Sequence, residues 1–214
     1  LHFISDEVYA LSIFTNPDFP DATPFTSALS MNLTDIIHPS LVHVTYALSK
    51  DFGAAGLKVG CLITRNEELK KAVTAVARFC AVSGLSAAAA IAMLEDREWC
   101  WGFISLSRVR LAEAYTYITS RLKEIGVQYM EGGNAGFFVW TDMSPYLQPE
   151  SELCRGAERE QVLAQRFEDN GVCLQPGEEH GRLGWFRLVF TTKRHVLEEG
   201  LRRIEKTVRE IRGY

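Results

Sequence analysis

The sequence predicts an α/β protein built in two parts, on three observations. Residues 1–64 hold three short runs rich in β-branched and aromatic residues, "LHFIS", "LVHVTYAL" and "LKVGCLIT". Residues past 105 read as helix, strand, helix, strand, strand, helix, a small α/β layer. No long linker, repeat or low-complexity tract interrupts the chain. Its 214 residues, 47% hydrophobic, can bury one large core or two modest ones. We place the boundary inside a long helix, giving parts 1–105 and 106–214.

The elements follow in order. "LHFIS" is a strand with "DEVY" at its end, and a glycine-rich turn joins the second strand to the third. Thr64 and Glu67 have the spacing of a capping box, T-x-x-E. The helix it would open carries Leu69, Val73, Val76 and Phe79 on one face. "LSAAAAIAMLEDREWC" reads as one nearly apolar, buried helix. A long amphipathic helix runs through Leu111, Tyr115, Ile118, Leu122 and Ile125, stopped by Gly126. "GFFVWTDM" is a strand, "GAEREQVLAQRFEDNG" a helix, and "VCLQPG" and "WFRLVFT" are strands. The last helix places Leu197, Leu201, Ile204, Val208 and Ile211 on one face.

Composition excludes several classes. A formal charge of −4 with scattered Lys and Arg is no nucleic-acid footprint. The longest uncharged run, "FCAVSGLSAAAAIAML", is too short and too rich in Ala and Ser for a membrane span. The five cysteines, Cys61, Cys80, Cys100, Cys154 and Cys173, form no C-x-x-C, and the histidines form no ligand pair. No metal site is expected, and a reducing, cytoplasmic compartment is. The chain opens "LHFISDEVYA", without Met and already strand-like, so we expect a piece of a longer protein, cut inside a domain.

"YALSKDFGAAGLKVG", residues 46–60, carries the chemistry. Tyr46 and Lys50 match the Y-x-x-x-K of short-chain dehydrogenases, which needs both side chains on one helical face. The β-formers before Lys50 and Gly53, Gly56 and Gly60 after it oppose a helix. A strand followed by a glycine-rich turn instead delivers Lys50 to the carboxyl edge of a sheet, where open α/β sheets bind ligands. A lysine partly withdrawn from water is a neutral nucleophile near pH 7 and can form a Schiff base with an aldehyde cofactor, pyridoxal 5'-phosphate. That ring needs a carboxylate at its pyridine nitrogen, and Asp6 ends the first strand. Tyr9 can donate to the ring oxygen. Arg187, in "GWFRLVF", offers a guanidinium fork for a substrate carboxylate. Singly these are bland: a strand-end cap for Asp6, a core edge for Tyr9, a solvated turn charge for Lys50, an edge-strand charge for Arg187. Order and spacing give them their weight.

"SDEVY", "YALSKDFGAAGLKVG", "GNAGFFVWTDM" and "GWFRLVF" together resemble the class I/II aminotransferases of fold type I, and more narrowly the 1-aminocyclopropane-1-carboxylate synthase-like branch. The resemblance covers essentially the whole chain, with S-K-D-x-G-x-x-G-x-x-x-G its most specific part. It implies the C-terminal part of a large mixed-sheet cofactor domain in 1–105, its N-terminal half missing, and the small C-terminal domain in 106–214. It implies that Lys50 carries the Schiff base and then acts as base at the substrate Cα. Asp6, Tyr9, Ser49 and Lys58 would bind cofactor, and Arg187 and Asn134 substrate. It also implies a small-molecule amino-acid substrate and a homodimer, with exposed strand edges favouring self-association. This piece alone is expected to be inactive.

Two positions depart from the family pattern. Ala47 stands where a phosphate-binding Ser or Thr is frequent, and Lys58 where the family has Arg, which keeps the charge and loses the fork. The residues do not choose among transamination, ring closure by a synthase-like lyase, and C–S cleavage of the kind found in fungal epidithiodiketopiperazine-type pathways. A non-catalytic relative that keeps the fold is the reading from another class.

Overall fold

The computed structural model describes every residue except Thr34, residues 152–154 (Cys154 among them) and Tyr214, with Glu179 described by its backbone alone. Its contacts divide the chain into two units. The first holds Leu1–Phe14 and Thr23–Val109, the second Thr15–Ala22 and Arg110–Tyr214.

The first unit is organised by a mixed sheet of three strands, β1 (Phe3–Asp6), β2 (Val42–Ala47) and β3 (Gly60–Thr64), in that order. β1 pairs with β2 in parallel, from Phe3 opposite Val42 to Asp6 opposite Thr45. β3 returns antiparallel, from His43 opposite Thr64 to Ala47 opposite Gly60. Gly60 is needed at that start, because a Cβ there would lie 3.2 Å from the Tyr46 carbonyl oxygen and 3.3 Å from Ala47 Cβ. Val42, Val44 and Ala28 form a small buried cluster under Leu33 and Ile37.

Three helices follow: α1 (Glu67–Ala77), α2 (Gly84–Glu95) and α3 (Arg97–Ile125). Three expectations need correction here. The Thr64–Glu67 box does not form. Thr64 is the last residue of β3 and its hydroxyl accepts from Asn66 N–H, while the Asn66 side chain caps α1 by accepting from Leu69 N–H at 2.9 Å. The apolar run at 85–100 is two helices, because the Asp96 carboxylate ends α2 and accepts from Trp99 N–H at 2.9 Å, capping α3. Nor is α2 buried: Ala90 is its one buried residue and Leu85 is 87% exposed. The apolar face of α1 is likewise open, with Phe79 just past its end 83% exposed.

The second unit is a fuller sandwich of sheet and helices. Its antiparallel sheet has the order β4 (Gln128–Tyr129), β5 (Phe138–Asp142), β7 (Trp185–Val189), β6 (Gln175–Pro176). β4 was not expected, and "VCLQPG" pairs only at Gln175 and Pro176. α3 ends where Gly126, at φ +80°, lets Gly126 and Val127 N–H reach the Leu122 carbonyl. Val139, Thr141, Phe186 and Leu188 bury one sheet face; Leu163 and Phe167 of α4 (Ala157–Asp169) and Leu197, Leu201, Ile204 and Val208 of α5 (Arg194–Arg212) are buried with them. Residues 15–22 join this unit through Asn16, which is buried and donates to the Gly133 carbonyl at 2.8 Å. Inside α4, the buried Glu160 carboxylate accepts from Gly184 N–H at 2.7 Å and Glu178 N–H at 2.9 Å, tying both ends of that turn to the helix.

Urea unfolding should separate the two kinds of apolar residue. Phe186→Ala, at a side chain with no exposure, is expected to cost ~3–5 kcal/mol. Val76→Ala on the open face of α1, 63% exposed, should stay within about 0.5 kcal/mol.

Candidate active site

In the first unit the parallel pairing of β1 and β2 brings both strand ends to one edge. Asp6 is the last residue of β1, exposed, and its carboxylate accepts from the Thr45 hydroxyl at 3.2 Å. Past it the chain turns back on itself, Ala10 N–H donating to the Glu7 carbonyl and Ser12 N–H to that of Tyr9. Tyr9 is half-buried in this turn. Lys50 lies in the turn after β2, which Gly53 N–H closes on the Lys50 carbonyl at 3.0 Å and Ala54 N–H on that of Leu48 at 3.1 Å. Gly53 sits at φ +61°, a conformation that strains other residues. The Lys50 ammonium lies 5.6 Å from the centre of the Tyr9 ring.

Thus Lys50 and Tyr9 meet at the edge where Asp6 ends its strand. Ser49 is half-buried beside Lys50. Lys58 is exposed and closes a short 3-10 turn at φ +56°, alone among the described non-glycine residues in having positive φ. That strain is worth noting at a position read as a phosphate ligand. One expectation changes: Lys50 is exposed in this structure.

The dehydrogenase arrangement is absent. Tyr46 is on a strand and Lys50 in a turn, and the Tyr46 hydroxyl donates to Asp51 at 2.9 Å. Burial first, then the Asp51 charge, pushes the Tyr46 phenol well above the ordinary tyrosine range, opposite to what that chemistry requires. Asp51 is the residue sequence reasoning missed. It is 3% exposed and accepts from Leu11 N–H at 3.0 Å, from the Ser12 hydroxyl and from Tyr46. Its place next to Lys50 was visible, but partners 39 and 40 residues away were not.

In the second unit Arg187 sits in the middle of β7, an interior strand, opposite Trp140 of β5 and Gln175 of β6. It is half-buried, its guanidinium 5.0 Å from the Phe138 ring centre, so it is no edge-strand charge. Asn134 is half-buried in the loop between β4 and β5. A cavity of about 270 Å³ in this unit is lined by Arg187, Gln175 and the apolar side chains of α5. A cavity of about 300 Å³ in the first unit, lined by Met31, Leu33, Val42 and Ile63, includes none of the expected site residues.

The raised Tyr46 value has a sign that can be tested. The folded phenol keeps its proton more tightly than the unfolded chain's. Its stabilisation is therefore complete below pH ~10 and is lost as pH rises beyond it. Urea unfolding at pH 9 and pH 11 should show a larger loss for the wild type than for Tyr46→Phe.

Comparison with known proteins places the chain in a family. A mouse protein named 1-aminocyclopropane-1-carboxylate synthase-like protein 1 is 36% identical over 97% of this chain and 39% of its own. A mouse protein named probable inactive 1-aminocyclopropane-1-carboxylate synthase-like protein 2 is 38% identical over 89% of this chain and 31% of its own. An Aspergillus oryzae protein named probable aminotransferase aclI is 35% identical over 96% of this chain and 48% of its own. The chain thus spans less than half the length of these relatives. Among solved structures, an aromatic aminotransferase from Pyrococcus horikoshii superposes with a TM-score of 0.79 at 19% identity, over 99% of this chain and 52% of that one, a likeness of fold. A model of the family described as aminotransferase class I and II matches residues 1–204, and the chain belongs to that family.

Proposed function

We propose that this chain carries the lysine-bearing part of a pyridoxal-phosphate site and serves an enzyme that acts on an α-amino acid. The observation that carries the reading is the meeting of Lys50 and Tyr9 at the strand edge that Asp6 ends. A carboxylate, a phenol and a primary amine are the donor set this cofactor requires, so the residues present fit it. When bound, the cofactor supplies an electron sink for the bond broken at the substrate Cα.

The rest is the work of the chain's own groups. The Asp6 carboxylate would hold a proton on the ring nitrogen, and the Thr45 hydroxyl that donates to Asp6 steadies its orientation. Tyr9 would donate its hydroxyl to the ring oxygen. Lys50 would hold the cofactor aldehyde through its amine and, with substrate bound, would act as the base that carries the Cα proton. Ser49 and Lys58 serve the phosphate; with Ala47 in place of a hydroxyl, Lys58 bears more of that charge. Arg187, its guanidinium 5.0 Å from the Phe138 ring centre, would receive the substrate carboxylate through its fork, and Asn134 would line the entrance. Which product forms is decided by where Lys50 returns the proton, or whether a side-chain group leaves first.

A non-catalytic reading is favoured by Ala47 and by the 38% identity to a relative named probable inactive. Retention of Asp6, Tyr9, Lys50 and Arg187 together opposes it.

Absorption spectroscopy with added pyridoxal phosphate tests the reading. A new visible band that borohydride bleaches is expected in the wild type and absent from Lys50→Ala; an unchanged spectrum in both would overturn the proposal. In the full-length enzyme, Arg187→Ala should weaken amino-acid binding by ~30-fold or more, with Arg187→Lys between it and the wild type. Products from simple amino acids, S-adenosylmethionine and cysteine conjugates then distinguish transamination, cyclisation and C–S cleavage.

A further inference from the structure

We infer that Asp51 is a positioning residue for Lys50, acting through the turn that carries Tyr9. This rests on the reading of Lys50 and Tyr9 given above. Asp51 immediately follows Lys50, yet its side chain runs inward where the Lys50 side chain runs out, the one 3% exposed and the other exposed. Both carboxylate oxygens are used: one accepts from the Ser12 hydroxyl, the other from Leu11 N–H at 3.0 Å and the Tyr46 hydroxyl at 2.9 Å. Leu11 and Ser12 close the turn that holds Tyr9, since Ser12 N–H donates to the Tyr9 carbonyl at 3.0 Å. The same turn is gripped from α3, where Arg108 Nε donates to the Leu11 carbonyl at 2.9 Å.

Asp51 therefore ties the turn after β1, some forty residues away, to the end of β2 through Tyr46 and to the lysine turn that follows it. Without it, the turn bearing Tyr9 loses two hydrogen bonds to the lysine turn, from Leu11 N–H and the Ser12 hydroxyl. A carboxylate suits the task because it accepts in several directions at once, where a neutral Asn offers one acceptor oxygen and presents an unwanted donor at the other. Tyr46 belongs to the same clamp, which explains a half-buried tyrosine near the end of the strand that stops three residues before Lys50.

A double-mutant cycle tests this, read on Lys50 itself. The rate at which the visible band forms with pyridoxal phosphate is measured in the wild type, Asp51→Asn, Tyr9→Phe and the double variant, with the Lys50→Ala trace subtracted and melting temperature recorded for each. Asp51→Asn is expected to slow band formation ~10-fold, and Tyr9→Phe to add less than about twofold on top of it, the non-additivity of two residues acting as one. An unchanged rate in Asp51→Asn, with only the melting temperature lowered, overturns the inference, as do fully multiplicative effects. Should Asp51→Asn not fold, Ser12→Ala removes one of the three donors and takes its place, with a smaller loss expected in the same direction. A second readout needs no cofactor. Acetylation of Lys50 by acetic anhydride, relative to Lys70 on α1, should rise about threefold in Asp51→Asn; an unchanged ratio overturns the inference. If the wild type forms no band, the cofactor reading fails by itself, and the acetylation ratio still decides the role of Asp51.

Discussion

Four register pairs, from Phe3 with Val42 to Asp6 with Thr45, fix where the chemistry of the first unit can lie. Parallel strands end at the same edge, so residues more than forty positions apart in the chain arrive together. Asp6 ends one strand and Lys50 lies in the turn that follows the other. Had β1 paired antiparallel to β2, the carboxylate and the amine would lie at opposite edges of the sheet. The backbone of the site is thus a consequence of strand direction, and the side chains refine it.

Refinement in both units falls to buried carboxylates that accept from backbone N–H groups. Asp51 gathers Leu11, Ser12 and Tyr46; Glu160 gathers Glu178 and Gly184. A charge removed from water is tolerated where its lone pairs are filled. Among the described residues no buried side-chain nitrogen or oxygen is left without a partner. The apolar surface differs between the units. The second buries the stripe of α5 under its sheet, while α1 and α2 of the first present Val76, Phe79 and Leu85 to solvent.

Much of this was legible because it is local. β-branched runs located the strands, the 3.6-residue stripe located α5, and Gly126 ended α3. Legibility stopped where a side chain acted at a distance or one position off. Asn66 outcompeted Thr64 as a cap because Thr64 was already the end of a strand. Asp96 split an apolar run by capping what followed it. The apolar character of α2 predicts burial only if something covers it, and covering is a tertiary fact. Asp6, Tyr9 and Lys50 were singled out from residue type and order, and the first unit brings Lys50 and Tyr9 together at the edge where Asp6 ends its strand. Asp51 escaped because its partners come from a turn that no periodicity links to it. The exposure of Lys50 escaped because residue type says nothing about neighbours.

The most direct measurement is mass-spectrometric mapping of the chain after incubation with pyridoxal phosphate and reduction with borohydride. The account expects the reduced cofactor on the peptide that contains Lys50, at a stoichiometry near one, and its loss from that peptide when Asp6 is changed to Asn. An adduct spread over exposed lysines such as Lys70 and Lys71, with Lys50 no more modified than they are, would contradict it.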